Sequence, residues 1–393
     1  MNIRKVKNIM LIEIFICIIF FIVISFISIT LNNKLDENIP LDIEFVCDNI
    51  DDQNKLDFRE MLIIKNELEG YKCSGYSETD TTISTESIIS KKKVKATLVD
   101  ERYCDMYKVN ILKGTGVDGF SVENERKVII ISDELSLQLF NSLNALEEKV
   151  KLGKDIYEVI GIYKKEKSII YSISEDSYER VIIPYSSLGD GMKKKIDVLS
   201  IVSNDDASIV KINLGAVNKK IDNYNLVDYS TDKKIGFQNI KIIFNIIALI
   251  LSIMIIYKIY KISREEYSYF TIRAKNSYFK ELIKGEKKHI VMFVIKIIIC
   301  LLVIFILYKV TNFELTIKNQ WIPEDNILDF KFYKKVFLSE INFSNNIGTF
   351  ATINERYLRN INKFQLINSI LLMIQFIAFS IFSYKYKLLK NDV

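Results

Sequence analysis

Apolar positions in this chain are gathered into four runs, near residues 9–31, 239–258, 290–309 and 366–384, with mixed sequence between them. About 20 apolar residues at a rise of ~1.5 Å cross a hydrocarbon core of ~30 Å, so each run predicts a spanning helix. The second run, taken as 240–257, is short by that measure. It extends through Lys241 and Lys258, whose long stems reach back to the interface. The first is longer than the ~7–15-residue apolar region of a secretory signal, and no A-x-A-like cleavage site follows it. It reads as an uncleaved anchor.

The stretch 32–238 has a different pattern. "LDIEFV" (41–46) predicts a strand. "NKLDFREMLIIKNELEG" (54–70) predicts a helix with Leu56, Met61, Ile64 and Leu68 on one side and Gly70 as its stop. Near the other end "KIDVLSIVS" (195–203) is a strand, and "DDASIVKINLGAVNKKI" (205–221) is a helix opened by Asp205 or Asp206 as cap. "NLVDYS" (225–230) is a strand again. Two β-α-β pieces thus bracket a strand-rich insert at about 100–190, and their pairing would make one split sheet. The fold class is a polytopic α-helical membrane protein with four transmembrane helices and an α+β extracytoplasmic domain.

Charge distribution sets the orientation. The 393-residue chain has a net charge of only +5, but 32–238 carries 29 Lys/Arg against 37 Asp/Glu, a net of −8. The stretch from Lys258 to His289 has nine Lys/Arg against four Glu; Arg4, Lys5 and Lys7 precede the first run, and Lys385, Lys387 and Lys390 follow the last. Positive flanks stay inside. The expected order is therefore a cytoplasmic N-terminus (1–8), span 9–31, extracytoplasmic domain 32–238, span 239–258, cytoplasmic loop 259–289, span 290–309, extracytoplasmic loop 310–365, span 366–384 and cytoplasmic tail 385–393. This is a multi-pass protein of the cell membrane. The loop 310–365 holds Trp321 and Tyr333 and has no role readable from its residues.

Candidate chemistry is sparse. Of five cysteines, Cys17 and Cys300 lie in apolar runs, and Cys47, Cys73 and Cys104 do not. No C-x-x-C occurs; a Cys47–Cys73 bridge is open but unsignalled. "GTGVDG" (114–119) is a literal G-x-G-x-x-G, but "FSVENERKVIII" follows it, read as a turn and then a strand. A dinucleotide site needs a helix there to receive the pyrophosphate. No G-x-x-x-x-G-K-[ST] is present, and His289, the only histidine, has no second ligand or base partner in the sequence. No catalytic residue, cofactor or metal site is expected, and nothing points to nucleic acid. Glu13, Lys241, Lys296 and Lys309 lie in or near spans and read as interface residues.

"SREEYSYFTIRAKNSYFKELIKGEKKH" (263–289) joins the second and third runs. On a helical count Tyr267, Phe270, Ala274, Tyr278 and Leu282 make one apolar-aromatic stripe. A helix resting on lipid would also be basic here, but lipid contact alone does not require so many aromatics on so short a tether.

One anchor, a large outer domain and three further spans is a layout that resembles the FtsX-like permeases of ABC transporters, including the macrolide-exporter (MacB-like) type. The ordered patterns "ILKGTGVDGF", "KVIIISDELSLQLF", "EEKVKLGKDIYEVIGIYK" and "VIIPYSSL" look like that family's core domain. Arg264, Glu265 and Glu266, then Arg273 and Ala274, resemble the basic-Glu start and Arg-Ala pair of the family's cytoplasmic loop; Asn276 stands where its glycine falls, and the spacing is longer.

The resemblance implies a non-catalytic permease subunit that pairs with a separate ABC ATPase subunit. It further implies a homodimer, or a heterodimer with a related permease, bathed in membrane lipids. The ATPase would press on Arg264, Glu265, Glu266, Tyr267, Phe270, Arg273, Ala274 and Tyr278, driving export or extraction of a peptide, drug or lipid-like substrate. The alternative is an envelope signalling or structural protein that regulates an extracytoplasmic hydrolase or senses antimicrobial peptides.

The topology has a direct check. Single cysteines placed at Phe120 and Phe330 should react with an impermeant maleimide on intact cells, and one at Lys275 should be protected. Protection at position 120 would contradict the orientation.

Overall fold

In the computed structural model, residues 3–47, 52–68, 70–85, 88–274, 285–310, 315–323, 326–346 and 351–391 are described. The helices are α1 (Ile3–Asn38), α2 (Phe58–Glu67), α3 (Tyr103–Met106), α4 (Gly119–Glu123), α5 (Asp133–Phe140), α6 (Ile169–Ser174), α7 (Ala207–Val217), α8 (Tyr229–Ala274), α9 (Lys287–Val310), α10 (Phe330–Asn346) and α11 (Ile353–Asn391). The strands are β1 (Ile43–Val46), β2 (Lys72–Thr85), β3 (Ile88–Val99), β4 (Ile111–Gly114), β5 (Val128–Ser132), β6 (Lys149–Leu152), β7 (Asp155–Tyr163), β8 (Glu179–Pro184), β9 (Val198–Val202) and β10 (Asn225–Asp228). Four helices, α1, α8, α9 and α11, are long and apolar enough to cross a membrane.

The chain divides into two compact units. One comprises residues 1–30, 235–316 and 364–393; the other comprises 31–234 and 317–363. In the first, Ile24 of α1, Ile240, Ile243 and Ile247 of α8 and Leu372 of α11 form a buried apolar seam. Polar bonds join it: Gln365 Nε2 donates to the Ser28 carbonyl at 2.9 Å and Asn368 Nδ2 to Ser28 Oγ at 3.0 Å. Among apolar surroundings such interhelical bonds fix which faces meet.

The second unit is built on one sheet, in the order β10-β1-β9-β2-β3-β8-β5-β7-β4, with β6 beside β2 and β7. The two β-α-β pieces interleave. β1 lies between β10 and β9, and β9 lies between β1 and β2, all antiparallel. The first piece's helix starts at Phe58, later than its sequence pattern begins, because Asp57 closes a capping box. The Asp57 carboxylate accepts the Glu60 amide at 2.9 Å, and the Glu60 carboxylate accepts the Asp57 amide at 2.9 Å. Leu56, Phe58, Met61 and Ile64 then bury against Val210 and Leu214 of α7 and the sheet. The long β2–β3 hairpin carries the sheet into the second lobe, where β3 pairs β8 in parallel and β5 pairs β7 in parallel.

Of the loop expected at 310–365, residues 317–363 belong to this unit, and the described ones are partly helical. The loop's last turns enter α11, where Tyr357, Leu358 and Ile361 bury against Leu35, Ile39, Leu41 and Tyr229. The buried Cys73 and Cys104 are thiols, each pushed up to about 11 by burial, so no bridge uses them.

Two buried charges organise the unit. Lys65 of α2 donates to Asp100 Oδ2 at 2.5 Å and Glu101 Oε1 at 2.8 Å, and Ser74 donates to the other Asp100 oxygen. Burial pushes the Asp100 carboxyl up and pulls the Lys65 ammonium down. Two acids share that ammonium, however, and their pull leaves Lys65 above its ordinary value, a charged donor.

Glu44 of β1 is fully buried and, among the described residues, is met by neutral donors only. Tyr229 OH reaches Oε2 at 2.5 Å and Thr352 Oγ1 at 2.9 Å; Tyr107 OH reaches Oε1 at 2.9 Å and Asn354 Nδ2 at 3.3 Å. Burial outweighs these bonds and holds its carboxyl above the ordinary value.

These sites predict two stability effects. Replacing Lys65 by Met strands two acids and should cost ~3–5 kcal/mol, while Lys65→Met with Asp100→Leu should recover most of it. Chemical denaturation of the detergent-solubilised chain measures both. For Glu44, a carboxyl raised on folding contributes fully below its ordinary value near 4.5, and loses that contribution as pH rises towards the folded value. The stability of the natural chain relative to Glu44→Gln should therefore fall as pH rises from 4.5; a pH-independent difference would contradict the raised value.

Candidate coupling site

α8 begins at Tyr229 and runs without a break to Ala274, so the first half of the 263–289 segment continues the second apolar helix. Nothing in that half breaks a helix: it has no proline or glycine, and Thr271 Oγ1 bonds back to the Tyr267 carbonyl within one turn. Gly285 and the start of α9 at Lys287 close the other side of the segment.

At 100° per residue, Glu266, Tyr269, Phe270 and Arg273 share one face of α8. That face meets the first turn of α9. Glu266 Oε2 lies 3.1 Å from His289 Nε2 but is misaligned for a hydrogen bond. The His289 ring sits edge-on to Tyr269 at 4.7 Å and tilted to Phe270 at 6.1 Å. Tyr269 OH donates to Glu286 at 3.2 Å, Arg273 pairs with the same carboxylate, and the Arg273 guanidinium lies 4.7 Å over the Tyr269 ring. Together these contacts clamp the end of α8 to the start of α9.

The expected stripe is divided by this packing. Phe270 faces the clamp, whereas Tyr267 is 75% exposed and shares an outer face with Tyr260 and Arg264. Arg264 and Glu265 are exposed, and the Lys261–Glu265 pair at 3.9 Å is a solvated contact that adds little. Glu266 and Arg273 join the clamp, Ala274 is the last residue of α8, and Tyr278 lies outside the described residues. Sequence reading missed Tyr269 and Glu286 and set His289 aside as isolated. A signal was present, since Glu266, Tyr269 and Arg273 recur at helical spacing and an acid and a histidine follow the loop.

The glycine motif at 114–119 also differs from its reading. A single helical turn, α4, does open on Gly119, but its end is already occupied: the Asp118 carboxylate accepts the Ser121 amide at 2.8 Å. A carboxylate there repels a pyrophosphate. Gly114 is needed for its left-handed φ of +76° and its close approach to the Ile160 carbonyl, where a Cβ would sit at 2.0 Å. Among the described residues, no group of three or more His, Cys, Asp or Glu is placed to hold a metal ion.

The fold defines a four-helix membrane protein carrying an α+β domain of two interleaved β-α-β pieces with a strand-rich insert. Residues 9–214 match the family model of the MacB-like periplasmic core domain, and the chain belongs to that family of ABC-transporter-type permeases. Among solved structures, the periplasmic region of MacB from Actinobacillus actinomycetemcomitans is similar at 15% identity. That match covers 51% of this chain and 96% of that one, with a TM-score of 0.39. The extracellular domain of the ABC-type transporter YknZ from Gram-positive bacteria is similar at 14% identity over 48% of this chain and 99% of that one, with a TM-score of 0.37. No curated protein matches by sequence.

Proposed function

We propose that this chain is the permease subunit of an ABC transporter, with both termini cytoplasmic and the MacB-like domain outside. A separate ATPase subunit docks on the 263–289 segment and drives export or extraction of a peptide, drug or lipid-like substrate. The permease itself works as a dimer, with a second copy or a related permease. Family membership carries this reading. The positive flanks support the orientation.

The clamp gives the docking reading a mechanism. Glu266, Tyr269, Phe270 and Arg273 are engaged with Glu286 and His289, so they hold the segment in place. Tyr267, with Tyr260 and Arg264 on the same face, is left to meet the ATPase in the helix-in-groove manner. The surrounding Lys and Arg hold this end at the anionic membrane surface, at ~1 kcal/mol each.

The reading predicts that an ATP-hydrolysing protein co-purifies with the chain from its native membranes. Tyr267→Ala should weaken that association by ~2 kcal/mol, about 30-fold, with unchanged folding and insertion. Phe270→Ala should loosen the clamp, so that hydrolysis continues but no longer drives transport. Unchanged ATPase retention and coupling in both variants would return the segment to a lipid-resting helix.

A further inference from the structure

The unit formed by 31–234 and 317–363 contains a cavity of about 990 Å³, at the upper end of the ~300–1,000 Å³ range of small-molecule sites. One wall is aromatic. Tyr103 stacks on Tyr107 at 4.3 Å, and Tyr76 stands edge-on to both at 5.6 and 5.7 Å. These rings are fixed against each other, so an apolar body packed on them would cost little side-chain ordering.

Most charges on the walls are spent on one another. Arg180 binds Glu78 and Asp176, each at 2.7 Å. Lys95 binds Asp176 at 2.5 Å, and Lys165 binds Glu175 at 3.2 Å and Glu179 at 3.0 Å. Lys108, Lys164 and Arg356 have no ion pair among the described residues, and of these Arg356 is the one with a buried donor left unmet. Its guanidinium, which also lines the cavity, has no ion pair or hydrogen bond among the described residues, and its Nε is buried from solvent. A guanidinium does not deprotonate in a protein, and burial without a partner is costly. The group that completes it is a planar or tetrahedral oxyanion, which its fork of donors grips in a bidentate way. A second observation agrees. Thr97, 2% exposed, lines the same cavity with its Oγ1 buried and unpartnered.

We propose that this cavity binds an amphiphile with one carboxylate or phosphate, its anionic head on Arg356 and its apolar body against Tyr76, Tyr103 and Tyr107. Glu37 and Glu166 also line the cavity without an ion pair among the described residues, but Lys108, Lys164 and Arg356 outnumber them, and Glu78, Glu175 and Asp176 already hold cations, so the balance on the walls favours an anionic head. The proposal does not depend on the ATPase reading, and its test needs neither ATP nor a partner.

The full chain in lipid nanodiscs is irradiated with 4-benzoylbenzoate, a photoreactive aromatic monoanion, or with its neutral amide, and labelled peptides are mapped by mass spectrometry. The acid should label peptides containing Tyr76, Tyr103 or Tyr107 saturably, at least tenfold more than the amide. Arg356→Gln should abolish that preference, Arg356→Lys should keep part of it, and Thr97→Val should weaken it. Competition by benzoate would assign a free carboxylate, and competition by dihexanoyl phosphatidate a lipid headgroup. Unsaturable labelling, or equal labelling by acid and amide, would overturn the proposal. That comparison on the natural chain decides even if Arg356→Gln fails to fold.

Discussion

A carboxylate without a cation is the constraint on which the domain's construction turns. Glu44 is fully buried on β1, one strand in from the sheet's edge and between β9 and β10, where ionised oxygens are tolerated only if every lone pair is met. Its donors come from distant parts of the sequence: Tyr107 after α3, Tyr229 at the first residue of α8, and Thr352 and Asn354 at the start of α11. Ser200 of β9 supports Tyr107 from the neighbouring strand. Four neutral donors offset part of the burial cost, and losing any one raises it, so the segments that precede two apolar helices are held to the strand by one residue.

The clamp lies on the far part of α8. The helix that starts at the Tyr229–Glu44 bond ends a turn beyond Phe270, where Glu266 and Arg273 engage α9. The two sites answer different needs. Glu44 is sealed from water and bound by neutral donors, whereas the clamp is half-exposed and uses two carboxylates and one guanidinium.

Much of the layout was legible because it depends on bulk patterns. The apolar runs and the two β-α-β pieces follow from hydropathy and alternation, and the motifs between 110 and 188 were legible through the family resemblance; that the two pieces interleave strand by strand was not. The β2–β3 hairpin was not legible. Its centre, "SETDTTIST" against "KKKVKATLV", alternates weakly and carries charges that find partners in the second lobe, such as Lys95 with Asp176. The same holds for Glu44 and Arg356. Nothing local distinguishes a buried glutamate in "DIEFV" from a surface one, or an arginine without a partner from its neighbour Arg359, which pairs with Glu355. Only tertiary placement separates them. The division of the aromatic stripe had the same cause, since periodicity gives faces but not which face α9 takes.

The joint at Glu44 is tested most directly by amide hydrogen exchange on the full chain in nanodiscs, comparing the natural sequence with Glu44→Ala. If one carboxylate holds the three segments, exchange should accelerate together in 43–46, 226–231 and 352–358, while β4, β5 and β7 at the far side of the sheet keep their protection. Acceleration confined to β1, with 352–358 unchanged, would contradict the account.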